Sequence, residues 1–248
     1  MDSKISPSVG KWFRTYRELY EWPPGTSRLK SEQEISNLKS SACLAINERQ
    51  EEALLSSLIN IHRWKTQNRQ DQTSKYCKTL ESLGKNYLTK IVDFGPFTST
   101  NNLELLIKTL KVRNCNLPVC TATASFLFKR QNVPILDRFL SQFFARKFKF
   151  NMVDEETARV LQYVKNIPLR LEDGGTGNLR LSVYTQKGFD YNLSKYIDDF
   201  VPECNRIAQN LRQSDIYYSD TQGKTVEFFP IDVEMTIFSY ATKHNNLF

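Results

Sequence analysis

The sequence contains few of the residues that metal centres and disulfide frameworks require. Among its 248 residues are only two histidines and five cysteines, and the cysteines lack the spacing of metal ligands. An odd number of cysteines without such spacing is typical of reduced thiols inside a cell. We therefore expect an intracellular protein, in the cytoplasm, nucleoid or nucleus, with no metal and no cofactor.

Long apolar runs are missing as well, and we expect no signal peptide. No segment approaches the ~18 consecutive apolar residues of a membrane-spanning helix, and residues 1–22 lack the apolar core and cleavage site of a signal peptide. Hydrophobic residues nevertheless make up 40% of the chain, and they include sixteen phenylalanines and eleven tyrosines. The chain can therefore bury a substantial core, and we expect a soluble protein with no membrane partner.

Apolar residues recur with the spacing of α-helices over most of the chain. The predicted segments are 31–64 with a break near Asn47, 73–92, 102–112, 118–129, 134–149, 153–165, 192–212 and a last helix from Pro230. Ser31 and Glu34 form a capping box at the start of the first segment. Residues 1–30 are predicted to be an arm whose aromatic segment packs on the body or, alternatively, stacks on nucleic acid.

One stretch departs from the helical pattern. Between about 167 and 186, apolar and polar residues alternate on both sides of Gly174, Gly175 and Gly177, which is typical of a β-hairpin. The glycines lack the Lys–Ser/Thr pair and the following helix of a phosphate-binding loop. The sequence therefore predicts an all-α protein with one small β-hairpin insertion, in which residues 31–248 form the helical domain.

Positive charge is concentrated in one segment of a chain whose formal net charge is +7. Between 129 and 149 a single acid, Asp137, stands among six cations: Lys129, Arg130, Arg138, Arg146, Lys147 and Lys149. A phosphate backbone is bound by clustered lysine and arginine. We interpret this segment as a phosphate-binding surface, and a solvated basic face is the alternative.

A helix–turn–helix pair predicted over 102–129 precedes the basic segment. Asn114 and Asn116 stand where a tight turn needs positive φ, which Asn tolerates best after glycine. Pro118 suits the first turn of the helix that follows. Amide groups of Asn114, Asn116 and Leu117, lying at a helix N-terminus, would attract a phosphate.

Residues 100–150 resemble the helix-hairpin-helix DNA glycosylase superfamily. That hairpin reads Leu-Pro-Gly-Val-Gly-x-Lys-x-Ala, and a catalytic aspartate follows it in a Val-Pro-x-x-Asp context. Here Asn114, Cys115 and Asn116 align with Gly-Val-Gly, and "VPILD" ends in Asp137. Weaker similarity to an uncharacterised branch extends to "INIHRWK" at 59–65 and to "FFPIDVEMTIFSYATKHNN" near the C-terminus. The resemblance implies a two-lobed helical fold whose partner is duplex DNA, with or without a modified base.

In the enzyme that this resemblance implies, Asp137 stabilises an oxocarbenium-like transition state and positions a water molecule. Pro118 stands where bifunctional members keep a Schiff-base lysine, so the enzyme would be a monofunctional glycosylase. Trp64 and Asp232 are candidates for the base pocket, with core packing and a first-turn dipole role as their alternatives. For Asp137 the alternative is a helix N-cap.

Two functional hypotheses remain open at this point. The missing hairpin glycines and lysine favour a non-catalytic scaffold that kept the fold and binds nucleic acid or a partner protein. The retained Asp137 after Val-Pro favours the enzyme, in which Arg130 and Arg138 would hold the flanking strand. A helical interaction module without a nucleic-acid role would leave the basic segment unexplained.

Overall fold

The computed structural model describes residues 5–67, 69–95, 102–128, 133–149, 152–174, 179–244 and 247. The α-helices are α1 (Pro7–Glu18), α2 (Arg28–Asn47), α3 (Glu51–Lys65), α4 (Gln70–Asp93), α5 (Leu103–Leu110), α6 (Leu117–Leu127), α7 (Arg138–Phe144), α8 (Glu155–Tyr163), α9 (Gln186–Lys195), α10 (Val201–Gln213) and α11 (Pro230–Lys243). The strands are β1 (Leu171–Asp173), β2 (Leu179–Leu181), β3 (Tyr217–Ser219) and β4 (Thr225–Glu227). The described part of the chain is thus mostly helical, as predicted.

Backbone contacts divide the chain into two compact units. We call residues 1–31 together with 136–248 the terminal unit, and residues 32–135 the middle unit. The predicted helical pair of 102–129 lies in the middle unit, whereas Asp137 lies in the terminal unit. A glycosylase-like arrangement of two lobes stays a prediction.

The terminal unit is built around α11, which packs against α1, α7 and α10. This helix begins at Pro230 as predicted, and its residues from Pro230 to Ala241 are all buried. In α1, Trp12 and Phe13 are 1% and 0% exposed, and the Trp12 indole donates to Thr157 Oγ1 at 3.2 Å. The predicted arm therefore contains a helix that packs on the body, and these two rings are not available to stack on bases.

The amphipathic stripe predicted over 192–212 is confirmed as one continuous helical run. It comprises α9, a π-helical turn over Tyr196–Phe200, and α10. Pro202 follows this turn and has no N–H to donate to the carbonyl four residues earlier, so a wider turn fits there. The rings of Tyr196 and Phe200 stack at 5.6 Å inside the core.

The start of α2 differs from the prediction. The helix begins at Arg28, and Ser31 lies inside it instead of capping it. Ser27 Oγ accepts from the Lys30 amide at 3.4 Å, while Ser31 Oγ accepts from the Trp22 amide at 2.8 Å. The capping-box prediction was wrong because Ser31 is bound to a residue outside the helix. The predicted break near Asn47 is confirmed, since α2 ends there.

In the middle unit, α3 packs against α4 and α6, and α5 packs against α6. The helix α4 contains a break at Gly84, whose φ of 65° lies in the left-handed region. No helix among the described residues combines the length and the apolar composition needed to span a membrane.

Both β-hairpins belong to the terminal unit. Strands β1 and β2 pair antiparallel with Leu171 opposite Leu181, which confirms the hairpin predicted within 167–186. Its predicted turn residues Gly175 and Gly177 lie outside the described residues. Strands β3 and β4 form a second hairpin, so the expectation of a single hairpin was wrong. Strands of three residues are too short for an alternating pattern to stand out.

Candidate nucleic-acid interface

The turn between α5 and α6 uses its two asparagines in different ways. Asn114 has φ 68°, so it occupies the left-handed region that was predicted for it. Asn116 has φ −89°, and its Oδ1 accepts from the Val119 amide at 3.4 Å as the N-cap of α6. The prediction of positive φ was therefore correct for Asn114 and wrong for Asn116. Pro118 lies in the first turn of α6, as expected.

A buried histidine is hydrogen-bonded to the backbone of this turn. His62 is 1% exposed, its ring stacks on Tyr76 at 4.3 Å, and its Nε2 lies 3.3 Å from the Asn114 carbonyl oxygen. Because a carbonyl only accepts, Nε2 carries the hydrogen and Nδ1 is free to accept from Thr73 Oγ1 at 3.5 Å. Burial lowers the pKa of His62 below its ordinary value. The neutral imidazole thus holds the turn in place.

The side chain of Asn114 adds a second attachment. Its Nδ2 donates to the Lys75 carbonyl oxygen and to Thr79 Oγ1, both at 3.4 Å. Leu117, by contrast, is 0% exposed, so its backbone amide is covered and does not face solvent. Of the three amides predicted to bind phosphate, those of Asn114 and Asn116 belong to residues with exposed surface.

Exposed cations lie beside the turn in the chain and on the two helices that are hydrogen-bonded to it. Lys75 is bonded to Asn114 through its carbonyl, and Arg113 is the residue before Asn114. Arg63 and Lys78 line a cleft of about 700 Å³, whose other lining residues are Gln70, Thr73, Ser74, Cys77 and Glu81. We call Asn114 and the exposed cations Arg63, Lys75, Lys78 and Arg113 the turn face. In the part of the chain that the structure describes, none of these four cations forms an ion pair.

Asp137 is the N-cap of α7. Its Oδ1 accepts from the Leu140 amide at 3.0 Å, and its carbonyl accepts from the Ser141 hydroxyl. The residue is 7% exposed. The structure thus provides the capping role that was the alternative for this aspartate, and its catalytic role stays a prediction.

The predicted basic segment does not form one described surface. Lys129 and Arg130 lie outside the described residues. Arg138 is exposed, with its guanidinium 4.4 Å from the Phe139 ring centre, and Lys147 is exposed as well. These two remain predicted phosphate contacts.

Arg146 points into the terminal unit. Its guanidinium donates to the carbonyl oxygens of Phe143 at 3.0 Å, Leu161 at 2.7 Å and Val164 at 2.6 Å. These carbonyls lie at the C-terminal ends of α7 and α8, where helices leave acceptors unpaired. Burial lowers the pKa of Arg146 to about 10. The side chain predicted to bind phosphate therefore joins two helix ends.

The two candidates for the base pocket are packed inside different units. Trp64, in the middle unit, is 6% exposed and meets Phe126 edge-to-face at 5.0 Å. Asp232, in the terminal unit, is 1% exposed and accepts from Arg17 Nε at 2.7 Å and from the Phe229 amide at 2.8 Å. Both side chains occupy the positions that core packing and helix capping predict for them.

The cations of the turn face were not singled out from the sequence. They come from α3, α4 and the α5–α6 turn, so no local cluster marks them. Arg113 beside Asn114 was the one local indication. The resemblance to the helix-hairpin-helix glycosylases stays a prediction that depends on the residues quoted above. Comparison with known protein families, with curated proteins and with solved structures finds no match for this chain.

Proposed function

We propose that the protein binds duplex DNA through the turn face of the middle unit, by contacts to phosphates and without excising a base. The observation that carries this proposal is a set of exposed cations on a left-handed turn and on the two helices bonded to it, with no ion pair to an acid among the described residues. Duplex DNA presents a dense row of negative charge, and cations that form no ion pair within the protein can replace its counterions. Contacts of this kind position a protein on DNA without reading its sequence.

The support of the turn favours a binding surface over a mobile loop. His62 is hydrogen-bonded to the Asn114 carbonyl oxygen, and the Asn114 side chain is hydrogen-bonded to α4. Lys75 and Lys78 stand one turn apart on that same helix. Cations held on packed helices keep their spacing when a phosphate backbone approaches, so little order has to be created on binding.

Base excision receives less support. A catalytic carboxylate has to face the sugar of an extruded nucleotide, whereas Asp137 is 7% exposed and accepts from the Leu140 amide. Helix capping accounts for an aspartate at this position. We therefore adopt the scaffold hypothesis, in which the protein binds DNA without catalysis. The test below also measures base excision, which would contradict it.

The test compares two triple variants that remove the same charge. The first is Lys75→Ala, Lys78→Ala and Arg113→Ala on the turn face, and the second is Arg138→Ala, Lys147→Ala and Lys149→Ala in the predicted basic segment. The affinity for an undamaged duplex is measured over a series of salt concentrations. We expect the first variant to reduce the slope of log K against log salt by about 2.7, since each phosphate that a cation neutralises contributes about 0.9 to the slope.

The second variant is the control for net charge, and we expect it to keep the wild-type slope. Loss of slope in the second variant alone, or in neither, would overturn the turn face as the binding surface. The same preparations are incubated with duplexes that carry modified bases and are then treated with alkali. Strand breaks with wild type but not with Asp137→Asn would replace the scaffold hypothesis by the enzyme.

A further inference from the structure

Two cysteines meet at the start of α6. Cys115 directly precedes the N-cap Asn116, and Cys120 is the fourth residue of the helix. The residues at these two positions are commonly brought together by helix capping, usually as an apolar contact. Here the contact joins two sulfur atoms, whose Sγ–Sγ distance is 3.4 Å. Cys115 is 4% exposed and Cys120 is 0% exposed.

The two sulfur atoms are in contact but are not covalently bonded. A disulfide has a sulfur–sulfur distance of about 2.05 Å, so the two atoms would have to approach by about 1.4 Å. The Cys120 thiol donates to the Cys115 carbonyl oxygen at 3.6 Å, which keeps its sulfur on the side of its partner. The chain thus holds two reduced thiols in contact, in positions from which a disulfide can form.

Two tyrosine hydroxyls are buried close to this pair. The hydroxyls of Tyr76 and Tyr87 have no hydrogen-bond partner among the described residues. Burial, and after it the neighbouring Cys115, raises the pKa of both phenols above the ordinary value. Both therefore stay protonated and can donate a hydrogen bond to negative charge that forms on Cys115. Buried donors rarely lack an acceptor, and a negatively charged Cys115 sulfur would be an acceptor for these two hydroxyls.

We propose that Cys115 and Cys120 form a redox modification site, which hydrogen peroxide converts into a disulfide across the first turn of α6. Peroxide is small enough to reach thiols that are nearly covered. This site does not depend on DNA binding by the turn face.

The reaction takes place in two balanced steps. The Cys115 thiolate attacks one oxygen of hydrogen peroxide, the O–O bond breaks, and Cys115 sulfenic acid forms together with hydroxide, which takes up the thiol proton as water. The Cys120 sulfur then attacks the sulfenic sulfur, and the S–O bond breaks. The hydroxyl group leaves with the Cys120 proton as a second water. Two thiols are oxidised, and one peroxide is reduced to two waters.

The order of the steps follows from the surroundings of each sulfur. Cys115 retains a small exposed surface whereas Cys120 has none, so Cys115 is the thiol that peroxide meets first. Burial raises the pKa of Cys120 well above its ordinary value, which keeps it a thiol until the sulfenic acid stands beside it.

Peptide mapping tests the proposal on the folded full-length chain. Trypsin cleaves after Arg113 and Lys129, and the peptide 114–129 holds both cysteines and none of the other three. The protein is treated with limited peroxide, and free thiols are then alkylated. We expect this peptide to lack two hydrogen atoms and to carry no alkyl group, and a reducing agent should restore both alkylation sites.

Matched variants separate the site from general oxidation. Cys77→Ser removes a half-buried thiol and should leave the new disulfide intact. Cys120→Ala should stop the reaction at a Cys115 sulfenic acid that dimedone traps. Tyr87→Phe, which removes a phenol hydroxyl and little volume, should slow disulfide formation severalfold, an effect that a purely structural role would not produce.

Three results would overturn the proposal, and the wild-type chain alone can give each of them. In the first, the peptide takes two alkyl groups while Cys43 and Cys77 are already oxidised. In the second, the disulfide forms only after denaturant has unfolded the chain. In the third, Cys115 or Cys120 pairs with another cysteine at least as readily as with its neighbour.

Discussion

The starts of α6 and α7 are alike in local structure and differ in what surrounds them. Asn116 caps the first helix and Asp137 caps the second, each by accepting from an amide three residues on. Beside the first cap, Lys75 and Arg113 stay in solvent without an acid partner among the described residues. At the far end of α7, Arg146 is bound to three carbonyl oxygens.

The difference shows why a cluster of charges in a sequence is an uncertain guide to a binding surface. Helix ends carry unpaired donors and acceptors of their own, and nearby charged side chains satisfy them. Asp137 and Arg146 serve α7 and α8 in this way. The turn before α6 is instead satisfied by asparagine, a buried histidine and backbone atoms, so its cations are not needed to hold the turn together.

The largest effect should come from a charge that is fully internal. Asp232→Ala removes the carboxylate that the buried Arg17 guanidinium contacts at 2.7 Å, where both side chains are almost covered. We expect a loss of about 3–5 kcal/mol in the free energy of unfolding, measured by urea denaturation. The Tyr218 hydroxyl, which also donates to Asp232 at 3.0 Å, loses an acceptor in the same variant.

The double variant Arg17→Met, Asp232→Leu is the control for this first comparison. Since it buries no unpaired charge, it should recover a large part of the loss. If Asp232→Ala lowered the free energy of unfolding by less than about 1 kcal/mol, the aspartate would be accessible to solvent, and its predicted role in a base pocket would gain support.

Arg146 and its neighbour Lys147 form a matched pair for the second comparison. Arg146→Ala leaves the carbonyls of Leu161 and Val164 without their donor, and we expect a loss of about 1–3 kcal/mol. Lys147→Ala removes an exposed charge and should change stability by no more than about 0.5 kcal/mol. If the two variants were equally stable and only Arg146→Ala reduced the slope of log K for DNA binding against log salt, the result would support Arg146 as a phosphate ligand.

The features that follow from local pattern were predictable from the sequence. The start of α11 at Pro230, the apolar stripe through α10 and the left-handed Asn114 all depend on residues within a few positions of one another. The features that failed depend on distant partners. Ser31 binds the Trp22 amide, and Arg146 binds carbonyls 15 and 18 residues away. A sequence without its fold does not indicate such partners.

Asp137 provides the third comparison, between a cap and a catalyst. Asp137→Ala removes the acceptor of the Leu140 amide, and we expect a loss of about 0.5–2 kcal/mol in urea denaturation. Asp137→Ser keeps an oxygen at the N-cap and should retain most of the stability. If serine is as costly as alanine, the carboxylate does more than cap the helix, and the enzyme hypothesis gains support.

The smallest effects, and the sharpest contrast, are expected at the two asparagines of the turn. At position 114 glycine should be the best replacement, because φ there is 68°, with serine and alanine about 1 kcal/mol less stable. At position 116 serine should be the best, because it can accept from the Val119 amide, with glycine a few tenths of a kcal/mol lower and alanine about 0.5 kcal/mol lower. Urea denaturation of the six variants gives both rankings.

The two rankings also test the resemblance to the glycosylase hairpin, which carries glycine at both places. A reversed order of glycine and serine between 114 and 116 means that only the first asparagine stands in for a glycine, since the second has φ −89°. Glycine as the best residue at both positions would mean that Asn116 also adopts positive φ. The turn would then resemble the backbone of the glycosylase hairpin more closely, and the proposal of phosphate binding would extend from its cations to its amides.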